Sequence, residues 1–174
     1  MKRVIIDTNV LVAANGADTE TSLDCQIKCK EFLDGFGIHI CARIDLSGLI
    51  LEEYRRNTSP TKQRAGDIFR KKLNDSLGGD LCEMVDITPT PPDYTDGGDF
   101  AEFPDDPALQ NFDDDDKKFV AVALAQHPPP PICHATDEDW WKHEQTLRQY
   151  GVIIDHLCPD QAPPGFGGDG VNSP

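Results

Sequence analysis

Short apolar runs alternate with segments of helical periodicity along most of the chain. Runs that predict strands lie at residues 3–7, 38–40, 81–87, 131–135 and 152–154. Segments that predict helices lie at about residues 22–36, 47–56, 61–74, 112–126 and 140–150. Because parallel strands need crossover connections, this alternation predicts an α/β fold, a three-layer α/β/α sandwich around a central parallel sheet.

Local signals place the ends of these helices. Ser22 is an expected N-cap, and Gly35 and Gly37 an expected stop, for the first helix. Ser47 is expected to cap a helix that runs to about Arg56. The segment 119–125 is apolar on nearly every face, which predicts a buried helix, and four prolines at 128–131 end it.

Two segments lack periodicity of either kind. Residues 88–110 are dominated by Pro, Gly and Asp, and we interpret them as an insertion or mobile loop. Residues 158–174 are rich in Pro and Gly and predict a disordered tail. The sequence therefore predicts one domain over residues 1–157, with an acidic Pro/Gly-rich insertion at about 88–111.

The charge is strongly negative and uneven. The formal net charge is −15 at pH 7, which opposes binding of a polyanion unless divalent cations neutralise it locally. Residues 93–116 contain ten acids and no Lys or Arg, whereas residues 55–72 contain seven Lys and Arg and one acid. We call residues 55–72 the basic arm. Contact with substrate phosphates and a solvated helix face are both open interpretations of it.

The cysteines and the N-terminus favour a chain that is neither secreted nor membrane-bound. The six cysteines form no CxxC pair, and Cys25 and Cys29 lie four apart in a predicted helix. We interpret them as buried free thiols rather than a zinc site or a disulfide framework. The apolar run before Asp7 is too short for a signal peptide or a membrane span, so we expect a cytoplasmic location.

Three aspartates lie where parallel strands and a buried helix would bring them together. Asp7 follows the first strand and Asp137 follows the strand at 131–135, so both are expected at the carboxyl edge of the sheet. Asp116 shares a helical face with Phe119 and Val120, which points its carboxylate inward. Alternatively, Asp7 and Asp137 are simple caps and the acidic run 113–116 is a solvated helix start.

Glu53 is the fourth candidate. In the predicted helix it shares a face with Leu49 and Ile50, while Glu52 is placed to pair with Arg56 in solvent. A carboxylate on the core side is costly unless a metal ion or a basic group meets it.

The histidines and tryptophans are weaker candidates. We interpret His39 and His134 as core histidines rather than catalytic groups. Trp140 and Trp141 can be core residues or can stack on a base, and at least one is expected in the core.

Four segments resemble the PIN-domain family in the same order along the chain, from about residue 3 to residue 154. They are residues 4–12 (VIIDTNVLV), 47–55 (SGLILEEYR), 113–123 (DDDDKKFVAVA) and 135–140 (ATDEDW). The resemblance implies a Rossmann-like sandwich whose metal-binding acids are Asp7, Glu53, Asp116 and Asp137. It also implies that Asn9 supports Asp7, with Asp113 and Asp139 as further carboxylates. Asp115 stays open as an alternative to Asp116.

The resemblance implies a hydrolase that cleaves phosphodiester bonds, most simply an endoribonuclease similar to the toxins of toxin-antitoxin pairs. Oxygen ligands without a His or Cys set favour Mg²⁺ or Mn²⁺ over zinc. RNA substrate, an antitoxin protein and a homodimer are the partners it implies. The alternatives are a stand-alone RNA-processing nuclease, an inert PIN module that binds nucleic acid or protein, and a phosphatase that uses Asp7.

Overall fold

The structure is a computed structural model that describes residues 1–16, 21–91 and 98–166. In these ranges it has seven strands: β1 (Lys2–Ile6), β2 (Ile40–Asp45), β3 (Cys82–Val85), β4 (Pro89–Thr90), β5 (Asp99–Phe100), β6 (Ile132–His134) and β7 (Ile154–His156). The six α-helices of the same ranges are α1 (Thr8–Ala14), α2 (Leu23–Asp34), α3 (Leu49–Asn57), α4 (Ala65–Asp75), α5 (Lys117–Leu124) and α6 (Glu138–Gln149).

Five strands form one parallel sheet, in the order β3-β2-β1-β6-β7. The predicted α/β fold with a parallel sheet is therefore confirmed at this level. The centre of the sheet is apolar because Val4, Ile5 and Ile6 of β1 and Ile132 and Cys133 of β6 are all buried. Strands covered on both faces need such continuous apolar runs.

Helix α5 is as buried as its composition predicts. Residues 119–123 have no exposed surface, and α5 packs on β1, β2 and β6. Helices α1, α2 and α4 contact one another. Gly66 allows the close approach of α4 to α1, since an added Cβ would lie 2.4 Å from the carbonyl oxygen of Leu11.

The N-termini of α2 and α3 are capped by different kinds of side chain. The prediction that Ser22 caps α2 is confirmed, because its hydroxyl accepts a hydrogen bond from the amide of Cys25 at 3.2 Å. The prediction that Ser47 caps α3 is wrong. The carboxylate of Asp45, at the end of β2, accepts the amides of Leu49 and Ile50 at 2.7 and 2.8 Å and also the Ser47 hydroxyl. Asp45 is fully buried, and its two carboxylate oxygens accept several hydrogen bonds there. The single hydroxyl of Ser47 could not satisfy as many donors.

Some predicted segments begin or end elsewhere. The run 38–40 is mostly a turn: Ile38 and His39 are exposed, and the strand begins at Ile40. The interpretation of His39 as a core histidine is therefore wrong. Helix α1 was not predicted, because its β-branched residues have low helix propensity and its start is set by the Asp7 cap.

The two aperiodic segments are partly ordered. Within 88–91 and 98–110, strands β4 and β5 pair antiparallel, and Phe100 and Leu109 are buried. These parts are therefore anchored to the core, contrary to the expectation of a mobile loop. Residues 92–97, also in the predicted insertion, lie outside the described residues.

The predicted tail is also anchored at its start. Cys158 is buried and Pro159–Gln161 forms a turn of 3-10 helix, so disorder from residue 158 is wrong for this part. Residues 167–174 lie outside the described ranges. Across those ranges, no helix combines the length and the apolar character that crossing a membrane requires.

Candidate active site

Asp7, Asp116 and Asp137 converge at the carboxyl edge of the sheet. Each offers a carboxylate oxygen, and these oxygens lie within 4.8 Å of one another. Strands β1 and β6 are parallel neighbours, so the residues that follow them meet at the same edge. The predicted convergence of these three aspartates is present in the structure. We call them the aspartate cluster.

Asp7 is held firmly at its place. It is the N-cap of α1, and only 3% of its surface is exposed. Its Oδ2 accepts hydrogen bonds from Asn9 Nδ2 at 2.8 Å and from the indole Nε1 of Trp140 at 2.5 Å. Asn9 also accepts the amide of Ala135 at 2.8 Å, which ties the turn after β1 to the end of β6. Asn9 therefore supports Asp7, as the resemblance implies.

Asp116 is buried at the start of α5. It closes a short 3-10 turn, Asp114–Asp116, and is 7% exposed, whereas Asp113, Asp114 and Asp115 are exposed. Among these four adjacent aspartates, the helix register buries the carboxylate of Asp116 and leaves the other three in solvent. This outcome favours Asp116 over Asp115.

Asp137 caps α6 and lies beside two further acids. Its Oδ1 accepts the amide of Asp139 at 2.8 Å, and Asp139 in turn accepts the amide of Asp113 at 3.2 Å. Asp113 and Asp139 therefore border the aspartate cluster without belonging to it.

Burial is the largest cause of the raised pKa of each carboxyl in the cluster, and the charges of nearby carboxylates add to it. Desolvation, and then the charge of Asp137, raises the pKa of Asp7 to about 7 against the hydrogen bonds from Trp140 and Asn9. Desolvation and the charges of Asp7 and Asp137 raise the pKa of Asp116 to about 10. The pKa of Asp137 is raised, first by desolvation. Three carboxylates in this position favour a bound proton or a bound cation.

Glu53 meets a basic group that the sequence reasoning missed. Its Oε2 lies 2.5 Å from the ammonium of Lys118, and the two side chains are 16% and 7% exposed. The ammonium of Lys118 also donates to the carbonyl oxygen of Asp115. A lysine that precedes Phe119 and falls within a helix whose later residues are all apolar, two residues after Asp116, is a signal that could have identified this residue.

Glu53 lies next to the aspartate cluster but is not part of it. Its charge contributes to the raised pKa of Asp7, which places the two carboxylates in the same electrostatic environment. The neighbouring Glu52 is exposed and pairs with Arg55 at 3.4 Å. The predicted helical register, Glu53 inward and Glu52 outward, is therefore confirmed.

Two tryptophans and two histidines pack together beside Asp7. Trp140 is fully buried, and Trp141 stacks on His156 with ring centroids 3.5 Å apart, so Trp141 is engaged within the chain. His134 is buried, as expected, with its Nε2 2.5 Å from Nδ1 of His156. Burial lowers its pKa to about 3, which makes it a neutral group.

The donor set of the cluster fits a hard divalent cation. Three carboxylate oxygens within 4.8 Å of one another, without sulfur or imidazole, match the ligand preference of Mg²⁺ or Mn²⁺. A bound cation would also relieve the repulsion that adds to desolvation in raising the pKa of Asp7 and of Asp116. Comparisons with protein-family models, with curated proteins and with solved structures gave no match.

Proposed function

We propose that this protein is a metal-dependent nuclease of the PIN-domain type that hydrolyses phosphodiester bonds in RNA. The observation that carries the proposal is the convergence of the buried Asp7 and Asp116 with the partly exposed Asp137 at the carboxyl edge of a parallel sheet. That edge is where α/β folds with parallel sheets place ligands. Three of the four sequence segments that resemble PIN domains contribute these acids, and the segment 47–55 contributes Glu53.

In this proposal the aspartate cluster holds Mg²⁺ or Mn²⁺. Bound there, such an ion lowers the pKa of water and polarises a phosphoryl group. Asn9 and Trp140 keep Asp7 in one orientation through their hydrogen bonds to Oδ2. The other oxygen of Asp7, Oδ1, accepts a long hydrogen bond of 3.2 Å from the amide of Asn9. It is therefore the oxygen of Asp7 that is more available to bind the metal ion.

Glu53 and Lys118 form the second half of the proposed site. Lys118 holds Oε2 of Glu53, which leaves Oε1 to orient a water molecule or to reach the ion. The ammonium also adds one positive charge next to four acids, which lowers the local repulsion of a phosphate. Lys118 is a positioning residue in this arrangement because it acts through Glu53.

The basic arm supplies the proposed contact with the RNA backbone. Lys62, Arg70, Lys71 and Lys72 line a cleft of about 380 Å³ along α4. Arg64 is already engaged, with its guanidinium 2.9 Å from the carboxylate of Asp67. The cleft therefore offers up to four cations for phosphates in a protein that is acidic elsewhere.

The biological setting belongs to the same proposal. By resemblance, we propose an endoribonuclease of the toxin type, acting as a homodimer and inhibited by an antitoxin protein. Its expression in a bacterial host should then arrest growth, and an Asp116→Asn variant should not. Growth unaffected by an enzyme that cleaves RNA in vitro would instead favour a stand-alone RNA-processing nuclease.

The central test is cleavage of a mixed RNA pool with Mg²⁺ or Mn²⁺, with the cut sites mapped. Matched samples contain a chelator, single-stranded DNA of the same sequences, or p-nitrophenyl phosphate. The expected result is metal-dependent cleavage of RNA and no turnover of the monoester. Turnover of the monoester alone would identify a phosphatase, and RNA binding without cleavage would identify an inert binding module; either result overturns the proposal.

A further inference from the structure

Three cysteine sulfurs lie together in the core, on elements that carry none of the proposed site acids. Cys25 and Cys158 are joined by a disulfide, which corrects the expectation that all cysteines are free thiols. Cys29 is a buried free thiol whose Sγ lies 3.9 Å from Sγ of Cys158. All three sulfurs lie within 4.8 Å of one another, and we call them the sulfur cluster.

The fold builds this cluster from two distant segments. Cys25 and Cys29 are four residues apart on α2, so helical geometry places them on one face. Cys158 follows β7 and is 133 residues away from Cys25 in the sequence. The sequence suggested the pair on α2, but the third sulfur is supplied only by the path of the chain after the sheet.

A few polar contacts join the segment after Cys158 to α2 and its N-cap. The amide of Ser22 donates to Oε1 of Gln161 at 3.0 Å. The ammonium of Lys28 lies 2.6 Å from Asp160, and this ion pair is half exposed. Exposed ion pairs contribute little to stability, so the segment can open locally and give a small solute access to the sulfurs.

The disulfide between Cys25 and Cys158 does not explain why the sulfur of Cys29 lies beside it. Crosslinking the segment to α2 needs two cysteines, and Cys29 makes no covalent bond. With the disulfide closed, the sulfurs of Cys29 and Cys158 already lie 3.9 Å apart, about the separation of two sulfur ligands on one ion. An ion whose sulfur ligands lie at about 2.3 Å holds those sulfurs about 3.8 to 4.0 Å apart.

We propose that, in the reduced chain, Cys25, Cys29 and Cys158 form a thiolate site for a soft cation, Cu(I). Thiolate ligands select Cu(I) and zinc over harder ions. Structural zinc is almost always four-coordinate, whereas the cluster contains three ligand residues within the described part of the chain. All three cysteines are fully buried, so no solvent-exposed position beside the sulfurs is open to water as a fourth ligand of zinc.

Cys29 is a neutral thiol in the metal-free protein. Burial raises the pKa of the Cys29 thiol to about 12, so the thiol keeps its proton until a metal ion displaces it. Binding of Cu(I) therefore releases protons from the sulfurs that bind it. The site is independent of the aspartate cluster, because the ligand types and the preferred ions differ.

The disulfide and the metal site are two states of the same sulfurs. A phosphine reductant supplies two electrons that break the bond between Cys25 and Cys158. Each sulfur takes a proton, and the phosphine takes the oxygen atom of a water molecule. The product has three thiols in the cluster, which is the form that we propose binds copper.

The test is anaerobic titration of the full chain with Cu(I) against a chromophoric copper chelator. The phosphine-reduced protein should retain one equivalent of copper, and the oxidised protein should retain none at this site. Cys29→Ser should weaken retention by at least about 100-fold, since losing even a supporting residue costs 10- to 100-fold. Cys41→Ser is the matched control, because Cys41 is a buried thiol outside the cluster and its loss should change nothing.

Several outcomes would overturn the proposal. Equal copper retention by the parent and by Cys29→Ser would show that the third sulfur is no ligand. Tighter binding of zinc than of Cu(I) would show a four-coordinate site. Circular dichroism of each reduced variant checks its fold, and Cys29→Ala, which keeps the site apolar, replaces Cys29→Ser if that variant unfolds. None of these readouts depends on nuclease activity.

Discussion

The ammonium of Lys118 lies 2.5 Å from Oε2 of Glu53, and both side chains are largely buried at the edge of the aspartate cluster. This pairing satisfies the requirement that a carboxylate on the core side meets a metal ion or a base. It also links α3 and α5, which carry the two residues. Removing either partner leaves the other charge buried without its counterion, so both catalysis and stability respond to this pair.

Replacing Glu53 by Gln should separate its role from that of Glu52. We expect Glu53→Gln to slow single-turnover RNA cleavage by about 10²- to 10⁴-fold, as loss of a positioned acid or base does. It should also destabilise the metal-free protein by about 1 to 3 kcal/mol, because Lys118 loses its counterion. Glu52→Gln, which breaks the exposed contact with Arg55, should change stability by about 0.5 kcal/mol or less and leave cleavage intact.

The opposite pattern, an inactive Glu52→Gln and an active Glu53→Gln, would contradict the role assigned to Glu53. Melting of both variants in a chelator measures the stability part separately from the activity.

Lys118→Met should reduce cleavage by about 100-fold while keeping the stabilisation that Mg²⁺ produces, because the proposed ion binds the aspartates. Lys118→Arg retains the charge and should recover part of the rate. Lys117→Met is the matched control: Lys117 is adjacent in sequence, but it pairs with the exposed Asp114 at 2.8 Å. Cleavage and metal-dependent melting are measured for all three. Full activity of Lys118→Met would show that Glu53 needs no positioning.

Metal binding should raise the melting temperature of the parent, because the ion binds the folded state alone. Asp116→Asn should lose most of this rise and reduce cleavage by at least about 100-fold. Asp114→Asn removes an exposed carboxylate from the same acidic run and should behave like the parent. Differential scanning calorimetry with and without Mn²⁺ checks both variants. An equal rise in the parent and in Asp116→Asn would place the ion elsewhere.

Stability of the metal-free protein should fall as pH rises between 7 and 8.5. The raised pKa of Asp116, about 10, means that the folded chain binds a proton in this range that the unfolded chain has released. The slope from one such proton is up to about 1.4 kcal/mol per pH unit. His134 opposes this slope weakly near pH 7 and hardly at all at pH 8.5, because its pKa is lowered to about 3 from an ordinary value of 6.5.

Urea unfolding in a chelator at several pH values measures this slope. Asp116→Asn should flatten it and should exceed the parent in stability at pH 8.5. A parent whose stability is constant or rises over this range would show that Asp116 is ionised without metal.

Neutralising Lys71 and Lys72 together should weaken RNA binding and lower the slope of log affinity against log salt by about 1.4. Each phosphate contact on a single strand contributes about 0.7 to this slope. Lys2 and Lys30 are two lysines outside the basic arm, each paired with an aspartate. Their double variant should keep the parental slope. An unchanged slope for the Lys71 and Lys72 variant would identify the basic arm as a solvated face.

The sequence by itself determined most of the strands and helices and the inward acids. Period-two and period-3.6 patterns are local, so the buried strand before Asp7, the apolar helix after Asp116 and the inward side of Glu53 could all be predicted. Parallel strands then required that Asp7 and Asp137 meet at one edge. These conclusions depend on spacing along a single element or on one general rule of sheet topology.

The tertiary structure alone decided which groups from distant segments meet. Lys118 forms an ion pair with Glu53, and Trp140 donates a hydrogen bond to Asp7. Asp45, instead of Ser47, caps α3. The disulfide between Cys25 and Cys158 spans 133 residues. No local pattern encodes such contacts, because each depends on how separate elements pack and on the cost of leaving a buried polar group without a partner.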